Sequence, residues 1–279
     1  TKTGLLVRLS TFEDDTGLKP TLYNFCHHYG IQPRQFYNKK YTYFSLCEEA
    51  GLFEVDACNM KEDAAKILNR LSTVDSLRFI DYVWANIDKA EELVWDNLTK
   101  KQQLYWKNLY VSVWEKPVEK FGFANELEGV IEFKKNKSVY DEFLQLIEYC
   151  YENINIVTEE VDLGFESTLE LYSTYTRTQL LAGLDFLENY AVSEGVKYLK
   201  EKDTDLLFIT LNKANKYYSP TTAYHDYSIS DKLFHWQSQS TTSDTSATGM
   251  RYRSRDGKKG NVLLFVREAK SDEHGPVPF

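Results

Sequence analysis

Proline and glycine are scarce in the sequence, at 6 and 13 among 279 residues. That excludes collagen-like and low-complexity chains, which need a strong bias toward one or both. Cysteine occurs four times, as Cys26, Cys47, Cys58 and Cys150, never in a CxxC spacing. Paired-thiolate motifs are therefore absent, and reduced, buried thiols in a cytoplasmic protein are expected. Cys26-His27-His28 offers three ligand types in a row. Adjacent helical side chains point about 100° apart, so no metal is expected there. No apolar run approaches the ~20 residues that span a bilayer, which argues against a membrane partner. The chain opens on Thr1-Lys2-Thr3-Gly4 with no basic-then-apolar leader, and it closes on Gly275-Pro276-Val277-Pro278-Phe279. Both ends read as cut, so a piece of a larger protein is expected, truncated at the C-terminal end of its last domain.

What is present is globular: 42% hydrophobic, 15% aromatic and 27% charged residues, with a net charge of −9. The length allows one large domain or two ordinary ones, with a core of real size. From about 20 to 190 the pattern is helical. Ala64, Ile67, Leu68 and Leu71 form one amphipathic stripe, as apolar residues at i, i+3, i+4 and i+7 should. Tyr140, Phe143, Leu144, Ile147, Cys150 and Tyr151 form a longer one, with Ser138 and Asp141 as its expected capping pair. Thr99 with Gln102 and Thr176 with Gln179 each have capping-box spacing ahead of an apolar face. Trp84, Trp95, Trp106 and Trp114 fall in this part and read as helix packing rather than a ligand cage. There is no fixed-period repeat.

Near 200 the texture changes. Residues 205–211 and 261–266 are short apolar runs rich in strand formers. Between them Met250 to Arg255 alternates, and Asp256-Gly257-Lys258-Lys259-Gly260 supplies the glycines of a hairpin turn. The expected class is α+β: an all-helical domain over 1–195, then a β-rich domain over 196–279. Charge divides with it. Residues 205–279 hold ten basic and eight acidic residues, +2, which leaves −11 on the remainder. Arg251, Arg253 and Arg255 would share one face of a strand, with Lys258 and Lys259 in the turn. Such a stripe suits phosphates, and it equally suits the solvated face of an edge hairpin. Ahead of it, eight of the eleven residues from Ser238 to Thr248 are Ser or Thr. Phe234-His235-Trp236-Gln237-Ser238-Gln239 sets aromatic rings beside carboxamides. Rings stack on a nucleobase while Gln reads its edge, although core packing and capping use the same residues.

Five short motifs occur in order: Thr210-Leu211-Asn212-Lys213; Thr222 with Tyr224, Asp226 and Tyr227; the hexapeptide 234–239; Thr248-Gly249 with Arg251-Tyr252; and Leu264-Phe265-Val266-Arg267. The series resembles the C-terminal coupling and target-recognition region of bacterial proteins that fuse a phospholipase-D-type nuclease to a DEAD/DEAH-type helicase, among them modification-dependent (type IV) restriction enzymes. Asn24-Phe25 and the segment Phe44 to Leu52 resemble the family's helical coupling region more loosely. The helicase's GKT-type loop and DEAD/DEAH box, and the HxK(x)4D nuclease motif, are not in this sequence.

The resemblance implies a DNA-recognition module with a PUA-like or SRA-like fold that accepts a flipped base. It implies ATP and Mg²⁺ for the parent, no cofactor for this piece, and two kinds of partner, duplex DNA carrying modified cytosine and the parent's own helicase and nuclease domains. A second copy in a homodimer is expected only in the reading that makes the helical part a dimerisation domain. Tyr224, Phe234 and Trp236 would stack on a flipped cytosine and wall its methyl group. Asp226 would accept from the N4 amine, and Gln237 and Gln239 would bond the base edge or fill the hole in the duplex. Arg251, Arg253, Arg255, Lys258 and Lys259 would hold phosphates. Two other readings stand beside this one. Asp256, Glu268 and Lys270 resemble the acid-x-Lys arrangement of metal-dependent nucleases, and the acidic helical part reads as a structural coupler or dimerisation domain. No Ser-His-Asp set, nucleophilic Cys or phosphate loop can be assembled, and His235 reads as a buried, hydrogen-bonded histidine.

Overall fold

The computed structural model describes residues 1–57, 59–187, 194–213, 226–239, 242–255 and 260–279. Tyr224, Asp256, Lys258, Lys259 and Cys58 lie outside the described residues. The chain divides into two compact units, Thr1–Tyr190 and Ala191–Phe279. Residues 191–204 add three basic and three acidic residues, so the second unit still carries +2 and the first −11. The architecture is α+β, with helices first and strands concentrated after them.

The first unit contains α1 (Lys2–Thr16), α2 (Leu22–Tyr29), α3 (Arg34–Tyr37), α4 (Tyr43–Glu49), α5 (Ala64–Leu71), α6 (Leu77–Asn86), α7 (Lys100–Val113), α8 (Glu126–Lys134) and α9 (Lys137–Glu152). A two-stranded pair, β1 (Glu159–Glu160) and β2 (Glu170–Leu171), and the short helix α10 (Arg177–Gly183) complete it. Thr99–Gln102 and Thr176–Gln179 form capping boxes, each hydroxyl accepting from the N3 amide while the Gln carbonyl accepts from the cap amide. The α5 stripe Ala64, Ile67, Leu68 and Leu71 is wholly buried. Trp106 lies at the centre of the core, whereas Trp84 is exposed. The cap expected at Ser138 falls elsewhere: α9 begins one residue earlier, Asn136 occupies the cap position without a side-chain bond, and Ser138 is inside the first turn. Cys26, Cys47 and Cys150 are buried free thiols, and burial pushes Cys47 and Cys150 up to about 12, far from a reactive thiolate. His27 stacks on Tyr23 and His28 packs edge-on against Phe12, so the residues beside Cys26 diverge.

One buried carboxylate ties this unit together. Glu142, on α9, accepts from the backbone amides of Tyr43 (2.6 Å) and Phe44 (2.9 Å), the first turn of α4. Those amides have no helical partner of their own. Burial pushes the Glu142 carboxyl up to about 7, and the two amides pull the other way.

In the second unit β3 (Val196–Leu199) pairs antiparallel with β4 (Thr204–Asn212), and β7 (Asn261–Ala269) pairs parallel with β4 on its other side. Strand β4 is central and buried from Thr204 to Thr210, which is why its sequence is a continuous apolar run rather than an alternation. The crossover from β4 to β7 carries the pair β5 (Tyr227–Ser228) and β6 (Phe234–His235), then the helix α11 (Ala247–Ser254). A closing pair, β8 (Ser271–Asp272) and β9 (Gly275–Pro276), follows β7. Phe208, Phe265 and Phe279 pack together against the sheet.

The expected strand over 250–255 is therefore a helix, and it forms no hairpin with 261–266. Ser246 caps α11 by accepting from the Gly249 amide at 3.0 Å. Gly249 is needed because a Cβ there would stand 2.1 Å from the Ser243 carbonyl oxygen. Because β7 runs parallel to β4, the chain between them must cross over, and α11 lies in that crossover.

Candidate nucleic-acid interface

The site grows from one residue of the apolar run. Asp205 is completely buried in β4, and a buried charge must find partners. Arg251 supplies them in bidentate fashion, with Nε 3.0 Å from Oδ2 and Nη2 3.0 Å from Oδ1. Arg255 adds Nη2 at 3.0 Å from Oδ2 and also bonds Asp203 at 2.9 Å. Two arginines four apart meet one carboxylate because a helical turn brings them within ~6 Å, whereas a strand would hold them ~13 Å apart. The pairing fits a helical path over 251–255 and not an extended one. The Arg255 bond and the Tyr198 hydroxyl keep the Asp203 carboxyl below its usual range.

Aromatic rings cover the cluster. The Arg251 guanidinium lies 3.8 Å from the centre of the Tyr198 ring and 5.4 Å from that of Tyr252. Tyr252 in turn meets Trp236 edge-on, centroids 5.1 Å apart. Gln239 Oε1 is within reach of the Tyr252 hydroxyl at 3.5 Å and accepts from Thr242 Oγ1 at 3.3 Å. The hexapeptide and the Thr248–Tyr252 motif, well separated in sequence, thus come together through Trp236, Gln239 and Tyr252. Trp236 remains half-buried. Part of the Ser/Thr-rich segment serves this local frame: the Ser246 hydroxyl donates to the Ser243 carbonyl at 2.7 Å.

Asp226 sits differently from a free acceptor. Its Oδ2 pairs with Lys213 Nζ at 2.8 Å, its Oδ1 accepts from the Gln237 amide at 3.0 Å, and its side chain is 5% exposed. It anchors the hexapeptide to the end of β4. Phe234 and His235 lie in β6, and His235 is half-buried and stacked on Tyr227. Lys258 and Lys259 lie outside the described residues, and Arg251, Arg253 and Arg255 do not share one face. Arg251 and Arg255 face Asp205, while Arg253 projects to solvent from the last turn of α11.

Of the acid-x-Lys set, Asp256 lies outside the described residues. Glu268 accepts from Asn212 Nδ2 near the far end of β7. Among the described residues no group of three metal-ligating side chains occurs, and no helix is long and apolar enough to cross a membrane.

Sequence reasoning passed over Asp205 and Tyr198. The signal was present, since an acid opening an apolar strand calls for a cationic partner. Residues 169–276 match a family described as a domain of unknown function (DUF3427). The match takes in the candidate site and reaches back to β2 and α10. No curated protein and no solved structure gives a significant match.

Proposed function

We propose that the second unit is the DNA-binding target-recognition module of an ATP-dependent, modification-dependent restriction endonuclease of the SauUSI type. It reads 5-methylcytosine or 5-hydroxymethylcytosine by base flipping and has no catalytic residue of its own. The observation that carries this reading is the meeting of Trp236, Tyr252 and Gln239 on a frame fixed by Asp205. A half-buried indole beside a carboxamide, held by buried ion pairs, is the equipment for stacking on a base and bonding its edge. The motif series that resembles nuclease–helicase fusions runs through the same residues. In this reading Tyr224 and Phe234 complete the apolar wall, and Asp226 positions Gln237. A PUA-like or SRA-like arrangement of the whole module, a cytoplasmic setting, and ATP and Mg²⁺ use by the parent belong to the same proposal. The acidic helical unit acts as the coupler to the motor and nuclease.

The charge geometry sharpens the expectation. With Arg251 and Arg255 held by Asp205, Arg253, Lys258 and Lys259 remain for phosphates. Three contacts give a salt slope of about −2.7, against about −4.5 for five, at ~0.9 per phosphate. One methyl group in an apolar pocket is worth about 1–3 kcal/mol, roughly 10- to 200-fold. The test is binding of the chain to matched duplexes carrying cytosine, 5-methylcytosine or 5-hydroxymethylcytosine at two salt concentrations. Tighter binding of a modified duplex, weakened by Trp236→Ala, is expected. Equal affinity for all three duplexes overturns the reading.

A further inference from the structure

The first unit carries a second surface feature that DNA recognition does not use. On α6, Asp81 and Trp84 lie one turn apart; on α9, Glu148 and Tyr151 repeat that acid-then-aromatic spacing, with Glu152 beside them. The two faces meet across an open cleft of about 380 Å³, floored by Ile80. Trp84 is 51% exposed and Tyr151 47%, although large aromatic rings are normally among the better-covered residues of a fold. Neither ring stacks on another, and none of the three carboxylates makes a hydrogen bond or ion pair among the described residues. No basic residue lines the cleft.

We infer that this cleft binds an arginine side chain presented by a partner polypeptide. The two rings offer π faces, and the carboxylates at the rim offer acceptors. A planar guanidinium satisfies both, stacking on a ring while donating in pairs to carboxylate oxygens, and an ammonium matches that geometry less well. The cleft is open on one side, so it suits a group tethered to a larger body rather than an enclosed small molecule. The −11 charge of this unit adds a long-range attraction for a basic segment.

The test uses the full chain and a dye-labelled, blocked hexapeptide alternating arginine and glycine, with lysine–glycine and glutamate–glycine versions as comparisons. The ¹⁵N indole resonance of Trp84, assigned by Trp84→Phe, should shift saturably with the arginine peptide, less with lysine and not with glutamate. The combined Trp84→Ala/Tyr151→Ala variant should weaken peptide binding by about fivefold or more. The Asp81→Asn/Glu148→Gln/Glu152→Gln variant should abolish it. All of these side chains are exposed, so the variants should keep the wild-type circular dichroism. A Trp84 resonance that does not move overturns the proposal. So does undiminished affinity in the double aromatic variant, which keeps every acid and would reveal diffuse attraction alone. DNA binding by the second unit should be unchanged in both variants.

Discussion

Replacing Asp205 with asparagine should destabilise the second unit by about 3–5 kcal/mol, the usual cost of removing one partner from a buried ion pair. The carboxylate is fully buried, and the side chains of Arg251 and Arg255 are 21% and 10% exposed. Neither guanidinium can recover full hydration in place. Asparagine keeps the shape, but it turns an amide donor toward two groups that only donate. For a unit of about this size each kcal/mol lowers the midpoint by ~4–8 °C, so a fall of at least ~12 °C is expected. Trp236 is the single tryptophan of the second unit, while Trp84, Trp95, Trp106 and Trp114 belong to the first. Biosynthetic 5-fluorotryptophan and ¹⁹F spectra through a thermal ramp therefore follow the two units separately in the intact chain. Only the Trp236 signal should move to lower temperature. Asp203→Asn is the internal comparison, because Asp203 is half-exposed, its pair with Arg255 is screened by solvent, and a much smaller shift is expected. A change below ~1 kcal/mol for Asp205→Asn would refute the argument that this carboxylate organises α11 against β4.

Glu142 predicts a pH dependence. Its folded pKa lies near 7 against an ordinary 4.5, so the folded state holds the proton more tightly than the unfolded chain. The contribution, about 3 kcal/mol, is complete below about pH 4.5 and is lost as pH rises through about 7. Glu142→Gln should flatten this part of a urea-denaturation profile measured between those limits. Gly249→Ala should cost about 1–3 kcal/mol, because the new methyl group meets backbone rather than a movable side chain. The Trp236 signal reports that loss. Trp236→Ala should weaken binding to modified duplex by about 1–3 kcal/mol, the contribution of one stacked base, with the salt slope unchanged. A chain lacking residues 1–190 should retain that binding, as an electrophoretic shift would show.

Most of the helical region, two capping boxes and the two long strands were legible because each is written in contiguous residues, whereas α1 precedes the expected helical span and the cap expected at Ser138 did not form. Thr99–Gln102 caps α7, and 261–266 falls inside β7. The segment 250–255 was misread because six residues are too few to separate a period of two from one of 3.6. The deciding partner of Arg251 lies 46 residues upstream. The same distance problem hid the role of Glu142. Glu142 reads as one more polar residue of an amphipathic helix until the start of α4, 99 residues earlier, is laid against it. The proposed pocket was legible as residue types, but not as an arrangement. The meeting of Trp236 with Tyr252 depends on the crossover fold, and no local pattern encodes it.

The parallel pairing of β4 with β7 has a consequence for biosynthesis. Thr204 and its partner Asn261 are 57 residues apart, so the most apolar strand of the unit leaves the ribosome long before its neighbour exists. At ~5–20 residues per second that interval is some 3–11 s, during which only β3 is available to cover one edge of β4. A truncation before Asn261 leaves the apolar strand β4 without its parallel neighbour, a template for pairing between nascent chains. Chaperone dependence and inclusion-body formation should therefore rise abruptly with C-terminal deletions that enter β7. Completion of β7, rather than chain length, should set the point at which deletion variants stay out of inclusion bodies.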